Sequence, residues 1–476
     1  MTTTSFFAKK QKWLGLVAII PAIAMIFTDQ AVLPVSLPAI QKQLGASAVE
    51  LWWCVNAYLL TSAIFLLVGG KLGDHIGYKK IFLFGMAFFA FSSALCGLST
   101  TPMYLIGSRV LQGLGAATMI PASSPLLMAL FPQNERGKAN GINVSVGSIF
   151  LILAPIIGGL FTEYLSWRWI FWVNLPIAAI GLLMGGYFIP VVHVTPKKFD
   201  FLGAVFFMIS CSALVALIMQ SPEWGWFSLK SLGLFVFFVV FGVLLLWREK
   251  CAKHPFIDLS LFKHSIFKAV NITVFFIQFI IMITVYRAVF FQDAFHWTAV
   301  KSGLAIFCSS LPVLFMSPIA GWIADRYNPK LPIAIGFSLL IYSFAWSAFF
   351  VDGSLTMILL GFFAFGFGVP LIFTPSYSAA MGSIPPTKAG VAFGIIATLR
   401  AIGGSLGIAI LSSASIFLER HLFVRSETPD IEAYFTIHIA FAAILILAFA
   451  FVFTLHHRHR KGSHHSSCSI AEGWDS

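Results

Sequence analysis

Asp29 is the acidic residue placed deepest inside an apolar stretch of this sequence, and the chemistry open to it is proton binding and release. It lies 16 residues after Trp13, which is about 24 Å along a helix that rises 1.5 Å per residue. A carboxylate at such a depth is costly, and such residues are by default functional. Asp29 is therefore a candidate proton-binding residue. The alternative is a structural acid, satisfied by neighbours near the outer end of its helix.

Three arginines also lie inside apolar stretches. Arg109 follows Pro102 by seven residues, and at that depth it needs an acidic partner or a hydrated cavity. It is a candidate for coupling with Asp29, or for a structural hydrogen-bond centre. Arg400 lies beside closely spaced glycines, so it either lines a cavity or takes part in helix packing. We expect Arg287 to direct its long side chain outward, towards the membrane surface.

A short cluster of charges and glycines, LLVGGKLGDHIGYKKI at residues 66–81, separates two long apolar stretches. We expect a turn of about six residues here, in which Gly77 permits a positive φ. Asp74 could face the N-terminus of a neighbouring helix, where the helix dipole favours a carboxylate. Lys79 and Lys80 could act together with Asp74, or they could only anchor the helix end at the membrane surface.

The composition identifies the elements that must position these residues. The chain of 476 residues is 59% hydrophobic and only 10% charged, whereas soluble domains carry roughly 25% charged residues. The sequence therefore predicts an all-α polytopic membrane protein. The net charge of +12 does not indicate a nucleic-acid partner, because the basic residues lie in the gaps between apolar runs.

Fourteen apolar runs are long enough to cross a bilayer. Of the 30 Lys and Arg residues, 21 lie at the termini and in every second loop, and 6 lie in the other loops. Since cytoplasmic loops carry the excess of basic residues, both termini are predicted to be cytoplasmic, in a protein of the cell (inner) membrane. The signal-like start continues as an apolar run to Pro38, so we interpret it as an uncleaved first helix.

An internal repeat divides the chain. GGKLGD at residue 69 recurs as AGWIAD at residue 320, and GLGAATMIP at residue 113 recurs as GFGVPLIFTP at residue 366. Spans one to six are therefore expected to repeat as spans nine to fourteen, which is a common plan of secondary transporters. The predicted divisions are a six-helix bundle over 1–192, two inserted helices over 193–264, a second six-helix bundle over 265–456 and a basic cytoplasmic tail over 457–476.

Several motifs, in order along the whole chain, resemble the major facilitator superfamily. GKLGDHIGYKK (70–80) resembles the signature loop of that family, and SRVLQGLGAA (108–117) resembles its fourth-helix motif. Five more segments resemble the fourteen-helix branch of drug:proton antiporters. They are TDQAVLPVSLPAIQ (28–41), SWRWIFWVNLPIA (166–178), FDFLGAVFF (199–207), HPFIDLSLFKH (254–264) and TLRAIGGSLGIAI (398–410).

The resemblance implies roles for particular residues. It implies a proton-coupling pair, Asp29 and Arg109, and a cytoplasmic latch that forms when the cavity opens outward. The latch residues are Gly70, Leu72, Gly73, Asp74, Gly77, Lys79, Lys80, Gly321, Asp325 and Arg326. The antiporter motif of helix five is expected at Pro155, Gly158 and Gly159, and possible cavity residues are Gln112, Gly113 and Arg400.

The same motif of helix five departs from the family pattern. Phe150 and Ala154 stand where the family has glycine, and the first-helix motif has Pro34 where the family has asparagine. Because the family associates the helix-five motif with antiport, a different coupling or cargo stays open. The copy of the signature loop at residues 319–330 also has Asn328 in place of its third glycine.

The sequence thus predicts a proton-coupled secondary transporter that exports amphipathic organic compounds by alternating access, as multidrug-efflux proteins do. The alternative on the same fold is an exporter of one dedicated metabolite, or a proton symporter. The sequence has no GxxxxGK[ST] motif for ATP, and we expect neither an enzyme nor a cofactor. The six cysteines and the histidine-rich tail indicate no metal site. The expected partners are a small-molecule substrate, protons and the lipid bilayer, around a monomer.

Overall fold

The protein is described here by a computed structural model, which places residues 3–192, 200–252, 256–257, 259–327, 330–384, 389–422 and 428–468. Within the terminal stretches 3–10 and 451–468, and at residues 325, 381, 389, 390, 421 and 429, it describes the backbone alone. Over these ranges the chain is helical, and 14 helices are long and apolar enough to cross a membrane. The predicted all-α class and the predicted number of spans are confirmed.

The helices follow one another through short connections. The first eight are α1 (Thr3–Leu44), α2 (Ala48–Ile76), α3 (Tyr78–Gly97), α4 (Pro102–Leu130), α5 (Arg136–Tyr164), α6 (Trp169–Phe188), α7 (Phe201–Trp224) and α8 (Leu229–Cys251). The last six are α9 (Ser265–Phe295), α10 (Ala299–Arg326), α11 (Lys330–Phe349), α12 (Leu355–Gly382), α13 (Ala389–Phe417) and α14 (Pro429–Cys468). Because their number is even, the start of α1 and the end of α14 lie at one face, called the terminal face below; the other is the opposite face.

Local sequence signals fix where several helices begin. Ser47 accepts a hydrogen bond from the Glu50 amide, and the Glu50 side chain accepts one from the Ser47 amide. This capping box satisfies two amides that a helix end leaves free. The Thr101 side chain caps α4 by accepting from the Tyr104 amide, ahead of Pro102, whose fixed φ suits the first helical position. Polar caps therefore define the tight turns at the opposite face.

The connection between α2 and α3 is shorter than the sequence indicated. The α2 helix continues to Ile76, so Gly77 alone joins it to α3, with a φ of 103°. The expected six-residue turn is wrong, because the charged residues 71–75 can remain helical and reach water from the end of a membrane helix. The expected positive φ at Gly77 is confirmed.

Two spanning helices are locally interrupted. The α9 helix consists of the segments Ser265–Ile281 and Ile283–Phe295, which meet at Met282. The α6 helix begins with the short turn Trp169–Trp172 before its main segment, Asn174–Phe188. The first of these interruptions precedes Arg287 by five residues, so it helps to set the direction of that side chain.

Helix packing brings the two repeats together along two seams. The α2 helix packs against both α4 and α13, and α5 packs against both α1 and α10. The α7 helix lies against α13 and α2, and α8 lies on α7 with most of its side chains exposed. The two inserted helices therefore flank one seam rather than separate the repeats. The domain boundaries proposed from the sequence stay a prediction.

Candidate functional site

A buried ion pair joins α1 and α4. Arg109 Nη1 lies 2.6 Å from Asp29 Oδ2, and both side chains are 1% exposed. The two residues are 80 positions apart in the sequence, yet each lies inside its helix at membrane depth. The structure thus gives Arg109 an acidic partner, which was one of the two environments expected for it.

Gln112 completes the pair into a closed triad. Its Nε2 donates to Asp29 Oδ1 over 2.9 Å, and its Oε1 accepts from Arg109 Nη1 over 2.7 Å. Arg109 Nε also donates to the carbonyl oxygen of Cys54 on α2, over 3.0 Å. Both carboxylate oxygens of Asp29 are therefore occupied by donors, and the buried charges neutralise each other.

Aromatic rings and a polar chain surround this triad. The guanidinium carbon of Arg109 lies 4.4 Å from the ring centre of Tyr58 and 5.9 Å from that of Phe171. Behind Gln112, Ser93 accepts a hydrogen bond from Asn174 Nδ2 over 3.0 Å and donates to the Phe171 carbonyl. The site thus holds one acid, one permanent cation and neutral dipoles, which suits reversible proton binding rather than bond-making chemistry.

Close packing of α4 against α2 positions Arg109. A Cβ on Gly113 would lie 2.7 Å from the Tyr58 carbonyl oxygen and 2.9 Å from the Thr61 side chain. Gln112 is likewise fully buried. Both residues therefore lie in the packed interior of the first six helices in this conformation, and neither reaches an open surface.

The motif of α5 lies at the contact between the two repeats. A Cβ on Gly158 would lie 2.6 Å from the Val32 carbonyl oxygen of α1, and one on Gly159 would lie 2.7 Å from the Ala299 carbonyl oxygen of α10. Pro155 is buried in the same stretch and contacts Gly303 of α10 through its carbonyl oxygen. These residues allow α5 to touch both neighbours near the opposite face.

Two hydrogen bonds join the two repeats near the opposite face, one between α5 and α10 and one between α1 and α9. The Val300 amide donates to Glu163 Oε2 over 2.9 Å, and Gln292 Nε2 donates to the Val35 carbonyl oxygen over 3.0 Å. In contrast, a Cβ on Gly141, near the start of α5, would meet nothing within 4 Å. The α5–α10 seam is thus closed near the opposite face.

The predicted latch residues lie at the terminal face, and no ion pair among the described side chains joins the two copies of the motif. Asp74 accepts a hydrogen bond from the Tyr78 hydroxyl, and Lys79 Nζ donates to the Gly186 carbonyl oxygen over 2.8 Å. Gly70 faces Pro121 of α4, Gly73 faces the ring of Tyr78, and Leu72 and Lys80 are exposed.

The second copy of that motif lies at the end of α10. Gly321 faces Thr374 of α12, and Arg326 lies over the ring of Trp322, 5.5 Å from its centre. The side chain of Asp325 and all of Asn328 lie outside the described residues. The three ion pairs found among the described side chains do not connect the two copies.

A second buried polar centre was missed by the sequence analysis. Arg287 is 0% exposed, so the expectation that it reaches outward is wrong. Its Nε donates to His438 Nε2 over 3.1 Å, its Nη2 donates to Ser347 over 3.1 Å, and the ring of Phe362 lies 4.6 Å away. These partners hold the guanidinium inside the bundle.

The two buried centres occupy matching helices of the repeat. The first uses α1, α3, α4 and α6, and the second uses α9, α11, α12 and α14. The first centre also includes contacts of Arg109 with α2. No ion pair to Arg287 occurs among the described residues. The sequence carried two signals for this centre, Arg287 and the lone histidine His438, each within an apolar run.

The sequence as a whole was then compared with known proteins. Residues 19–408 match the profile of the Major Facilitator Superfamily. The chain belongs to the major facilitator superfamily. Multidrug resistance protein Stp of Mycobacterium tuberculosis strain CDC 1551 is 32% identical over 88% of this chain and 79% of its own length. The tetracenomycin C resistance and export protein of Streptomyces glaucescens is 30% identical over 84% and 75%.

This major facilitator chain is also similar to a further transporter in sequence and to a solved structure in fold. Riboflavin transporter RibZ of Clostridioides difficile is 30% identical over 85% of this chain and 88% of its own length. A bacterial homologue of the human lysosomal transporter Spinster, in an inward-facing and unoccupied conformation, superposes with a TM-score of 0.66 at 16% identity. That match covers 94% of this chain and 97% of the other, and at this identity it shows the shared fold alone.

Proposed function

We propose that this protein is a proton-driven exporter of amphipathic organic compounds that works by alternating access. The observation that carries the proposal is the buried Asp29–Arg109 pair, an acid and a cation placed where the protein can neutralise them only by mutual contact. The multidrug resistance and antibiotic export proteins to which the chain is similar support export as the direction.

The triad suggests how proton binding is coupled to movement. Protonation of Asp29 removes the negative charge that holds Arg109 in place, so proton binding favours withdrawal of the guanidinium. Withdrawal of Arg109 alters the contact between α1 and α4 and also releases the carbonyl oxygen of Cys54 on α2. Protonation of one carboxylate thereby favours a different arrangement of three helices, which is the differential interaction that a two-state transporter requires.

We further propose that the terminal face is cytoplasmic, because the loops on that side carry most of the basic residues. The membrane is then the cell (inner) membrane, and the protein acts as a monomer. The closed contacts of α5 with α10 near the opposite face correspond to a conformation that is shut towards the outside. Cargo would be collected from the cytoplasm or the inner leaflet in this state.

A second candidate is export of one dedicated metabolite, or proton symport, on the same fold. The similarity to a riboflavin transporter favours it, as do Phe150 and Ala154 at positions where the family motif of α5 carries glycine. Both candidates use the same triad. They differ in the range of compounds that the protein accepts.

The test is flux through the purified protein in liposomes with an imposed proton gradient. We would follow ethidium, tetraphenylphosphonium and riboflavin, with protein-free liposomes as the control. Gradient-driven movement of at least two unrelated compounds is the expected result. Movement of riboflavin alone would replace the proposal with the second candidate. Movement of none of the three would contradict multidrug export.

A further inference from the structure

Arg400 is a cation at membrane depth whose charge is not paired with an acid among the described residues. It lies 11 residues after Ala389, the first residue of α13, which is about 16 Å along the helix and thus near the middle of a hydrocarbon core of roughly 30 Å. Its side chain is partly exposed. Neither an ion pair nor a hydrogen bond links it to another described residue. A cation in this position needs water, an anionic group or hydrogen-bond acceptors around it.

Flat aromatic surfaces adjoin this cation. The guanidinium carbon of Arg400 lies 5.8 Å from the ring centre of Phe373 on α12. Phe373 stacks on Tyr377 at 6.2 Å, and Tyr377 meets the edge of Phe393 at 6.2 Å. All three rings are partly exposed. One positive charge thus lies at the end of a row of partly exposed aromatic rings.

The other two membrane arginines are closed to a ligand in this conformation, because both side chains are buried. Arg109 is neutralised by Asp29, and Arg287 is fully buried with hydrogen bonds to His438 and Ser347. Among the three, Arg400 is therefore the one whose charge remains open to a ligand. A guanidinium recognises a carboxylate through two parallel hydrogen bonds.

We propose that Arg400 binds the acidic group of aromatic or planar apolar substrates, whose ring system lies on Phe373, Tyr377 and Phe393. Stacked and edge-on ring contacts would hold the apolar body, while the charge selects compounds that carry a carboxylate. This inference rests on the proposed export function, because it specifies which compounds among the amphipathic class the protein prefers. It assigns the preference to the second half of the chain, away from the Asp29 triad.

The test compares two probes that differ in one group, 1-pyrenebutyrate and the neutral 1-pyrenebutanol. Binding to the purified full-length protein is measured by energy transfer from tryptophan to pyrene. Wild type should bind the acid about tenfold or more tightly than the alcohol, as a charge-assisted hydrogen bond implies. Arg400→Gln should remove that difference, and Arg400→Lys should keep part of it. Arg420→Gln, which removes an exposed arginine just beyond α13, is the matched control and should keep all of it.

Each outcome bears on the inference separately from the export function. Equal binding of the two probes by wild type, or a preference that survives Arg400→Gln, overturns the inference. Retained tetraphenylphosphonium flux in Arg400→Gln shows that the variant is folded, so that a lost preference counts as support. A clear preference in a protein that moves no compound across liposomes would contradict export and leave the anion site supported.

Discussion

Asp29 and Arg109 approach to 2.6 Å between Oδ2 and Nη1, although 80 residues separate them in the chain. Their contact ties α1 to α4 inside the first six helices and leaves neither charge exposed. A buried pair of this kind contributes little net stability, but removal of one partner leaves an uncompensated charge. The same contacts therefore determine both the stability of the triad and its ability to exchange a proton.

Loss of the acid should destabilise the protein until the cation is removed as well. We expect Asp29→Asn to cost about 3–5 kcal/mol because Arg109 stays buried and unpaired. The double variant Asp29→Asn with Arg109→Gln should recover most of that loss. Thermal unfolding of the purified variants measures both effects. Additive losses in the double variant would show that the two residues do not act as a pair.

A larger side chain at the α5–α10 contact should shift the protein away from this conformation. In Gly159→Ala the new Cβ would lie 2.7 Å from the Ala299 carbonyl oxygen, so the helices must separate near the opposite face. Spin labels at the exposed positions Tyr164 and Lys301 should report a longer or broader distance distribution. Gly141→Ala, where a Cβ meets open space, is the control. Unchanged distances in Gly159→Ala would refute the role of this contact.

Asp74 should matter to transport more than to this conformation. Asp74 accepts a hydrogen bond from the hydroxyl of Tyr78, one turn away, so Asp74→Asn should change the free energy of unfolding by less than about 1 kcal/mol. If the acid forms a latch in another conformation, substrate flux should fall strongly. Tyr78→Phe should leave flux near the wild-type rate. Equal flux in Asp74→Asn and wild type would remove the latch from the account.

His438 should stabilise the second buried centre. It accepts from Arg287 Nε over 3.1 Å, so His438→Phe leaves a buried charged donor without its acceptor, at a cost of about 1.5–3 kcal/mol. Thermal unfolding should therefore begin at a lower temperature. His75→Phe, at an exposed position near the end of α2, should unfold as wild type does. Identical unfolding of the two variants would mean that the Arg287–His438 contact contributes nothing.

Asp29 and Arg109 of the first site could be predicted from the sequence. Asp29 and Arg109 stand out because each is charged within an apolar run, and the need for compensation suggested a pair. Gln112 follows Arg109 by three residues, a spacing that places both on one face of a helix. The contact of Gln112 with Asp29 then follows from the approach of α1 to α4, which no local pattern encodes.

Other features depended on tertiary packing. The side chain of Arg287 could equally have reached the membrane surface, and its burial is decided by His438, 151 residues away. The one-residue connection at Gly77 depends on whether residues 71–76 stay helical, and a charged helix end and a charged turn have the same composition. The packing of Gly159 on Ala299 likewise joins segments from two different repeats.

The central claim is that Asp29 carries the coupled proton. The most direct measurement is proton movement into or out of liposomes that contain a pH-sensitive dye, during flux of a compound that wild type transports. Wild type and Asp352→Asn, which alters an exposed acid between α11 and α12, should both move protons with the substrate. Asp29→Asn should lose the substrate-dependent proton signal. Persistence of that signal in Asp29→Asn would contradict the account and place the proton on another residue.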